Sequence, residues 1–129
     1  LYAEATAYGS SNSLDEAWLI SPTMQASGGN TLQFKTQRGF GAAGHDPFAA
    51  FVSTNFNGLN TTSAVWIPVP GAYATPSTPD FTWIPSGVID LAQLLPQGYT
   101  GTFVVGFRFQ GSDPNGQTTN MRLDDVQLQ

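Results

Sequence analysis

Alternation of hydrophobic and polar residues runs through most of the chain and is clearest near its C-terminal end. Between residues 102 and 110, large apolar side chains occupy every second position: Phe103, Val105, Phe107 and Phe109. Successive side chains of a β-strand point to opposite faces, so the pattern predicts a strand whose aromatic face packs into a core between two sheets. A second alternation, over residues 32–37, predicts another strand with one solvated face.

Weaker alternations predict six more strands, separated by clusters of Gly, Pro, Asn and Ser that are typical of turns. These strands cover residues 2–7, 17–20, 50–54, 65–69, 81–84 and 121–128. Residues 90–95 are the only helical candidate, and their length allows a single turn. The chain is therefore predicted to be all-β, an antiparallel sandwich of the jelly-roll type with about eight strands.

Composition agrees with one all-β domain. The chain has 129 residues, of which only 10% are charged, against roughly a quarter in an average soluble domain. The helix formers Glu, Lys and Arg are too scarce for amphipathic helices. We predict that residues 1–129 form a single binding module. Because its surface is neutral and its first residue is Leu, we expect it to be excised from a larger secreted or cell-surface protein.

Charge and hydropathy exclude several partners. The formal net charge of −5, with four Lys and Arg residues, is unsuited to nucleic acid, whose binding depends on neutralising phosphates. No apolar run is long enough for membrane insertion. The chain has no cysteine, so disulfides and thiolate metal sites are excluded. We expect the isolated module to be a monomer.

Residues suited to catalysis are few. His45 is the only histidine, there is no cysteine nucleophile, and no G-x-S-x-G motif occurs. Two carboxylates would suffice for a glycosidase, but a sandwich of this size leaves little wall for a catalytic cleft. The sequence thus predicts a protein that is not an enzyme.

Acidic pairs provide the candidate metal ligands. Hydrophobic positions follow one alternation before Asp124 and the opposite alternation after Asp125, which predicts a β-bulge at the two aspartates. A second pair, Asp15 and Glu16, precedes another strand. Carboxylate oxygens are ligands that Ca²⁺ prefers, so these four residues are candidate calcium ligands; the alternative is that they are solvated turn charges.

Aromatic residues in polar surroundings are candidates for stacking against sugar rings. Trp83 and Tyr73 lie among Pro, Thr and Gly, where a ring can remain exposed. Trp18 and Trp66 lie within apolar runs and are predicted to belong to the core. Stacking of a glycan is thus assigned to Trp83 and Tyr73.

Planar hydrogen-bonding side chains complete the predicted glycan site. Arg108 alternates outward from the aromatic row, Arg38 follows the polar face of residues 32–37, and His45 lies in a glycine-rich loop. If the strands that carry the two arginines are neighbours, their polar faces form one patch beside an exposed ring. Such a combination suits a neutral sugar, which offers hydroxyls and apolar ring faces.

Seven segments together resemble the choice-of-anchor J or cleaved-adhesin type of domain, in order along nearly the whole chain. They are Ala17-Trp18-Leu19-Ile20-Ser21-Pro22, Leu32-Gln33-Phe34, Val52-Ser53-Thr54-Asn55, Val65-Trp66, Ser86-Gly87-Val88-Ile89-Asp90-Leu91, Phe107-Arg108-Phe109-Gln110-Gly111-Ser112-Asp113 and Leu123-Asp124-Asp125-Val126. The early Trp-Leu-Ile-Ser-Pro combined with the late Asp-Asp-Val is the specific feature.

The resemblance implies a jelly-roll sandwich in a secreted bacterial protein, with an accessory role beside hydrolases, proteases or nucleases, or as a repeat in adhesins. It also implies structural calcium at Asp124 and Asp125 and a scaffold role for Trp18 and Trp66. Members of such families generally have an upstream strand with an acidic residue; in this chain Glu4 could supply that group.

The leading hypothesis is a non-catalytic carbohydrate-binding accessory module of an extracellular bacterial protein. Its alternative is a protein-binding adhesin or structural stalk domain without a small ligand. Exposure of Trp83 and Tyr73 side by side favours the glycan, and their burial favours the alternative.

Overall fold

The computed structural model describes all 129 residues and contains ten β-strands and one 3₁₀ turn. The strands are β1 (Ala3–Ala5), β2 (Asp15–Ile20), β3 (Met24–Gln25), β4 (Thr31–Gly39), β5 (Phe48–Ser53), β6 (Ile67–Pro68), β7 (Ile84–Pro85), β8 (Ile89–Asp90), β9 (Thr102–Gly111) and β10 (Asn120–Leu128). The turn, Leu91–Gln93, follows Asp90, whose carboxylate accepts a hydrogen bond from the backbone N–H of Ala92.

The strands form two sheets in which every paired neighbour is antiparallel. Sheet I has the order β1-β10-β4, with β7 and β8 both paired to the far edge of β4. Sheet II has β9 between β5 and β2, with β6 beyond β5 and β3 also paired to β9. The predicted all-β class and the packing of two antiparallel sheets are thereby confirmed.

The core lies between the inward faces of β4 and β9, the strands with the clearest alternation. Leu32 and Phe34 of β4 and Val105 and Phe107 of β9 are buried members of one cluster. The rings of Phe34 and Phe107 meet edge to face, with centroids 5.2 Å apart. The polar alternate positions of both strands face outward, as predicted from the period of two.

Several short elements differ from the sequence prediction. The structure has ten strands, because two-residue strands such as β3 and β8 have too few residues to show a period. The strand predicted at residues 81–84 shares only Ile84 with β7. The predicted helical turn is present as the 3₁₀ turn after Asp90. None of the helical segments has the length and apolar character needed to cross a membrane.

The bulge predicted at the two aspartates is confirmed. Asp124 pairs with Lys35 and Gln127 pairs with Gln33, so β10 has one residue more than β4 between these pairs. Asp125 occupies the extra space with a φ of 52°, in the left-handed region. Asp and Asn adopt this region more readily than most other residues, which explains the choice of residue.

Truncating the core at Leu32 should destabilise the protein strongly. Leu32 is fully buried in the main cluster, so Leu32→Ala removes contacts on all sides and is expected to cost about 2–5 kcal/mol. Leu59 is 91% exposed, so Leu59→Ala is a matched control expected within about 0.5 kcal/mol of the native protein. Urea unfolding followed by tryptophan fluorescence compares the two; equal midpoints would contradict the assigned core.

The bulge can be tested by a pair of substitutions at Asp125. Asp125→Asn and Asp125→Val both remove the carboxylate, so their difference isolates the backbone conformation. Valine is β-branched and strained at positive φ, and Asp125→Val is expected to be less stable than Asp125→Asn by about 1–3 kcal/mol. Thermal unfolding of both variants measures the difference, and equal stability would show that the bulge does not require this conformation.

Candidate functional site

Four aromatic side chains form a line across the outer face of sheet I and its border, which we call the aromatic row: Phe40, Phe81, Tyr2 and Trp83. Phe40 and Phe81 meet edge to face at 5.3 Å between centroids, and Tyr2 and Trp83 do so at 6.0 Å. Phe40 is 70% exposed, and Phe81 and Tyr2 are about half exposed, whereas Trp83 is half-buried. The row thus consists of two contacting pairs of rings, and three of its four rings are exposed.

Two cations lie over these rings. The guanidinium carbon of Arg122 is 4.9 Å from the ring centroid of Tyr2 and 5.4 Å from that of Phe81, so it connects the two halves of the row. Lys35 Nζ lies 5.1 Å from the ring centroid of Trp83. Attraction between a cation and an aromatic face fixes the orientation of each ring against the sheet.

A hydrogen-bonded polar network accompanies the row. Glu4 accepts from Arg122 Nε at 2.8 Å and from the Asn120 side-chain amide at 2.9 Å, and the Arg122 Nη1 group donates to Gln37 at 2.7 Å. These bonds, first that of Asn120 and then that of Arg122, lower the pKa of Glu4. The network therefore stays ionised and ordered near neutral pH.

Lys35 completes this surface beside Trp83. Its ammonium lies 2.8 Å from a carboxylate oxygen of Asp125, and this hydrogen bond raises the pKa of Lys35. The bulge turns the Asp125 carboxylate toward the strand that carries Lys35. Local backbone geometry in β10 thus determines how the lysine is held over the tryptophan ring.

Backbone strain is concentrated at the exposed end of the row. Phe40 and Phe81 have φ angles of 49° and 61°, in a region that bulky side chains rarely adopt. The Phe81 ring lies against Gly39, where a β-carbon would be only 2.6 Å from a ring carbon. Strained residues that hold exposed aromatic rings are more typical of binding surfaces than of scaffold.

Of the residues predicted to stack against sugar, the structure places Trp83 on this surface but not Tyr73. Tyr73 lies between the sheets, where it stacks on Phe34 at 5.7 Å and donates a hydrogen bond to the Val69 carbonyl. Burial raises the pKa of Tyr73 to about 12. The arrangement that would have favoured a glycan, with Trp83 and Tyr73 exposed side by side, is therefore absent, because the loop that carries Tyr73 folds inward.

Arg38 and His45 hold loops in place. Arg38 Nε is 3.1 Å from the Asp80 carboxylate, and its guanidinium lies against the backbone of Gly41. His45 is buried: Nδ1 accepts from the backbone N–H of Thr119 and Nε2 bonds to the Gln110 carbonyl. With both ring nitrogens engaged, His45 has no group left for a ligand, contrary to its predicted role.

The predicted patch that joins Arg38 to Arg108 does not form, because their strands, β4 and β9, belong to different sheets. Arg108 lies on the outer face of sheet II. Trp18 and Trp66 also lie there, stacked at 4.6 Å, and not in the core as predicted. Trp18 is paired with Arg108 across the strands, so both side chains point outward.

The four predicted calcium ligands are divided between the sheets. Asp124 and Asp125 lie in β10 of sheet I, and Asp15 and Glu16 lie in β2 of sheet II. Asp124 accepts from the backbone N–H of Asp125 at 2.8 Å. The structure contains no group of three or more His, Cys, Asp or Glu side chains that could hold a metal ion.

An apolar cavity of about 180 Å³ opens between the sheets, on the side where β1 and β2 form the edges. Most of its lining residues are hydrophobic, among them Ala5, Ala17, Phe109 and Met121. Glu4 is its only acidic lining residue. The cavity therefore does not bring two carboxylates to face each other across a cleft.

Sequence analysis did not identify three members of the row or its central cation. Tyr2, Phe40 and Phe81 lie at or beyond strand ends, where the period of two gives no orientation. The cation, Arg122, could have been found from the alternation of β10. It lies between the buried Met121 and Leu123, so its side chain must point to the outer face of the sheet.

Comparison with known proteins gives a family without an assigned function. No curated protein and no solved structure matches the chain. One family model, described as a domain of unknown function, DUF5017, matches residues 17–129, a span that includes every strand except β1 and the first two residues of β2. Because the match covers most of the sequence, the chain belongs to the DUF5017 family.

Proposed function

We propose that this protein is a non-catalytic carbohydrate-binding module and that the outer face of sheet I binds the glycan. The observation that carries the proposal is the aromatic row, in which exposed rings lie directly beside planar hydrogen-bonding groups. A sugar ring has apolar C–H faces and a rim of hydroxyls, so a binding surface needs both kinds of group next to each other.

The geometry of the row suits an extended chain better than a single sugar. Its rings follow one another from Phe40 to Trp83, with Arg122 between the two pairs. Glu4, which flanks Arg122 and is exposed, offers a carboxylate to sugar hydroxyls, whereas the buried Gln37 holds the guanidinium in place. Several sugar units could therefore contact the surface at once, each with a modest contribution.

The charges of the row favour a neutral glycan. Arg122 is paired with Glu4, and Lys35 is paired with Asp125, so neither cation is free to neutralise an anionic group. The chain as a whole carries a formal charge of −5, which disfavours strongly sulfated polysaccharides.

The proposal extends to the biological setting. We propose a jelly-roll module of an extracellular bacterial protein, monomeric when isolated, that tethers its parent protein to polysaccharide. The resemblance to choice-of-anchor J and cleaved-adhesin domains supports this setting, as does a surface with few charges. A fold alone does not imply a function, so the proposal depends on the row.

The second candidate function is a protein-binding adhesin or stalk domain. It is supported by exposed apolar side chains outside the row, among them Leu59 at 91%, Val88 at 72% and Val65 at 66%. Protein surfaces use such residues as contacts when they form contiguous patches. A glycan array probed with the isolated protein distinguishes the two candidates. A carbohydrate-binding module should bind at least one glycan, and an adhesin or stalk domain should bind none.

Removal of rings from the row should weaken binding of the glycan identified on the array. Each of Trp83→Ala and Phe81→Ala is expected to cost about 1–3 kcal/mol, by analogy with aromatic stacking at nucleic-acid sites. That corresponds to a roughly fivefold to hundredfold higher Kd. Isothermal titration calorimetry on folded variants measures the effect.

Tyr8→Ala is the matched control for these variants, since Tyr8 is 78% exposed and contacts no other ring. It should bind as the native protein does. Unchanged affinity in both row variants would move the site to another surface, and an array without any bound glycan would favour the adhesin or stalk function.

Structural calcium at Asp124 and Asp125 stays a prediction. Because the Lys35 ammonium already bonds to Asp125, calcium would have to compete with it. We expect calcium at one hundred times its Kd to add about 2.7 kcal/mol to the free energy of unfolding and so to raise the melting temperature. At a fixed calcium concentration the rise should be larger in Lys35→Gln, which lacks the competing ammonium. Calorimetric melts in calcium and in chelator measure this; identical melts for both proteins would contradict it.

A further inference from the structure

The outer face of sheet II carries the one basic side chain of the protein that is not in an ion pair. The other three are in ion pairs: Lys35 with Asp125, Arg38 with Asp80 and Arg122 with Glu4. Arg108 forms no ion pair, and its Nε–H is buried without a hydrogen-bond acceptor. A buried charged donor without an acceptor is costly, so the protein itself does not fully satisfy this guanidinium.

Arg108 is held in one orientation by the residues around it. Its guanidinium carbon lies 5.1 Å from the ring centroid of Phe51, which supports one side of the planar group. Trp18 is its cross-strand neighbour in β2, and Ala49 is its neighbour in β5. Arg108 is partly exposed on this face.

The nearest carboxylate is already committed to other donors. Glu16 accepts from the indole N–H of Trp18 at 2.9 Å and from the side-chain amide of Gln110 at 2.6 Å. These hydrogen bonds, that of Gln110 first, lower the pKa of Glu16, and the charge of Arg108 contributes less. Glu16 therefore orients the tryptophan and leaves the guanidinium available.

Aromatic rings adjoin this arginine. Trp18 and Trp66 stack at 4.6 Å over Gly106, where a β-carbon would lie 2.8 Å from a ring atom of Trp66. Phe51 contacts Trp18 at 5.7 Å between centroids. Glycine in the middle of a central strand weakens the strand, and here its absent side chain is what allows both indoles to approach the sheet.

We propose that this face is a second binding surface, specific for a sugar residue that bears a carboxylate. The carboxylate accepts two parallel hydrogen bonds from the two Nη groups of Arg108, because Nε is buried, and the apolar face of the sugar ring packs against the Trp18 and Trp66 edges. A planar guanidinium matches a planar carboxylate, and a single cation matches its single charge. The inference takes its ligand class, but not its site, from the proposed function.

The test compares acidic oligosaccharides with their neutral counterparts. Oligomers of galacturonic, glucuronic and mannuronic acid are titrated calorimetrically alongside the same oligomers after reduction of the carboxyl groups to alcohols. We expect at least one acid to bind roughly tenfold or more tightly than its reduced form. No preference for any acid over its reduced form would overturn the proposal.

Variants then test whether the preference for the acid over its reduced form arises at the outer face of sheet II. Arg108→Gln should abolish it, Arg108→Lys should retain only part because the ammonium cannot form the paired bonds, and the control Tyr8→Ala, at an exposed residue outside both surfaces, should leave it unchanged. A preference that survives Arg108→Gln also overturns the proposal. If Trp83→Ala loses neutral-glycan binding but the native protein shows no preference for acids, this inference is rejected and the proposed function stands. If the native protein prefers acids through Arg108 but Trp83→Ala binds neutral glycans as the native protein does, the site proposed on sheet I is rejected and this inference stands.

A measurement on the native protein covers the case in which an arginine variant does not fold. The chain has three arginines, so its Nε–Hε groups give three resonances that can be followed by NMR. Addition of the acidic oligosaccharide should shift the Arg108 resonance and leave those of Arg38 and Arg122 in place. Shifts at Arg122 alone, or none at all, would count against the proposal.

Discussion

The contact between the inward faces of β4 and β9 is the interaction on which the rest of the structure depends. Phe34 and Phe107 meet at its centre, and the fully buried Leu32 and Val105 extend it along both strands. Because alternate residues of each strand are committed to this contact, the remaining residues must face outward. The two candidate binding surfaces are the reverse sides of the strands that form the core.

Each outer face is then shaped by one departure from regular strand structure. In sheet I the bulge at Asp125 adds a residue to β10 and turns a carboxylate toward Lys35, which lies over Trp83. In sheet II, Gly106 has no side chain, and the indoles of Trp18 and Trp66 occupy the space above it. Both surfaces thus depend on a local feature that a regular sheet would lack, and in both cases that feature positions a tryptophan.

The sequence predicted the fold class and the principal strands because their alternation is a local property. It also predicted the bulge, since a phase change in the alternation has one structural meaning. It could not say which strands are neighbours, so Arg38 and Arg108 were combined although they lie on different sheets. Trp18 was assigned to the core because its neighbours are apolar, although it shares the phase of Glu16, whose side chain is solvent-exposed.

The strand order has a consequence for how the chain can fold during synthesis. Both central strands, β9 and β10, come last, and β1 and β4 have no contact with each other without β10 between them. A growing chain therefore carries unpaired strand edges in both sheets until residues 102–128 have been synthesised. Neither sheet can assemble before its central strand is available, so removal of β10 should leave an aggregation-prone chain and not a smaller folded domain.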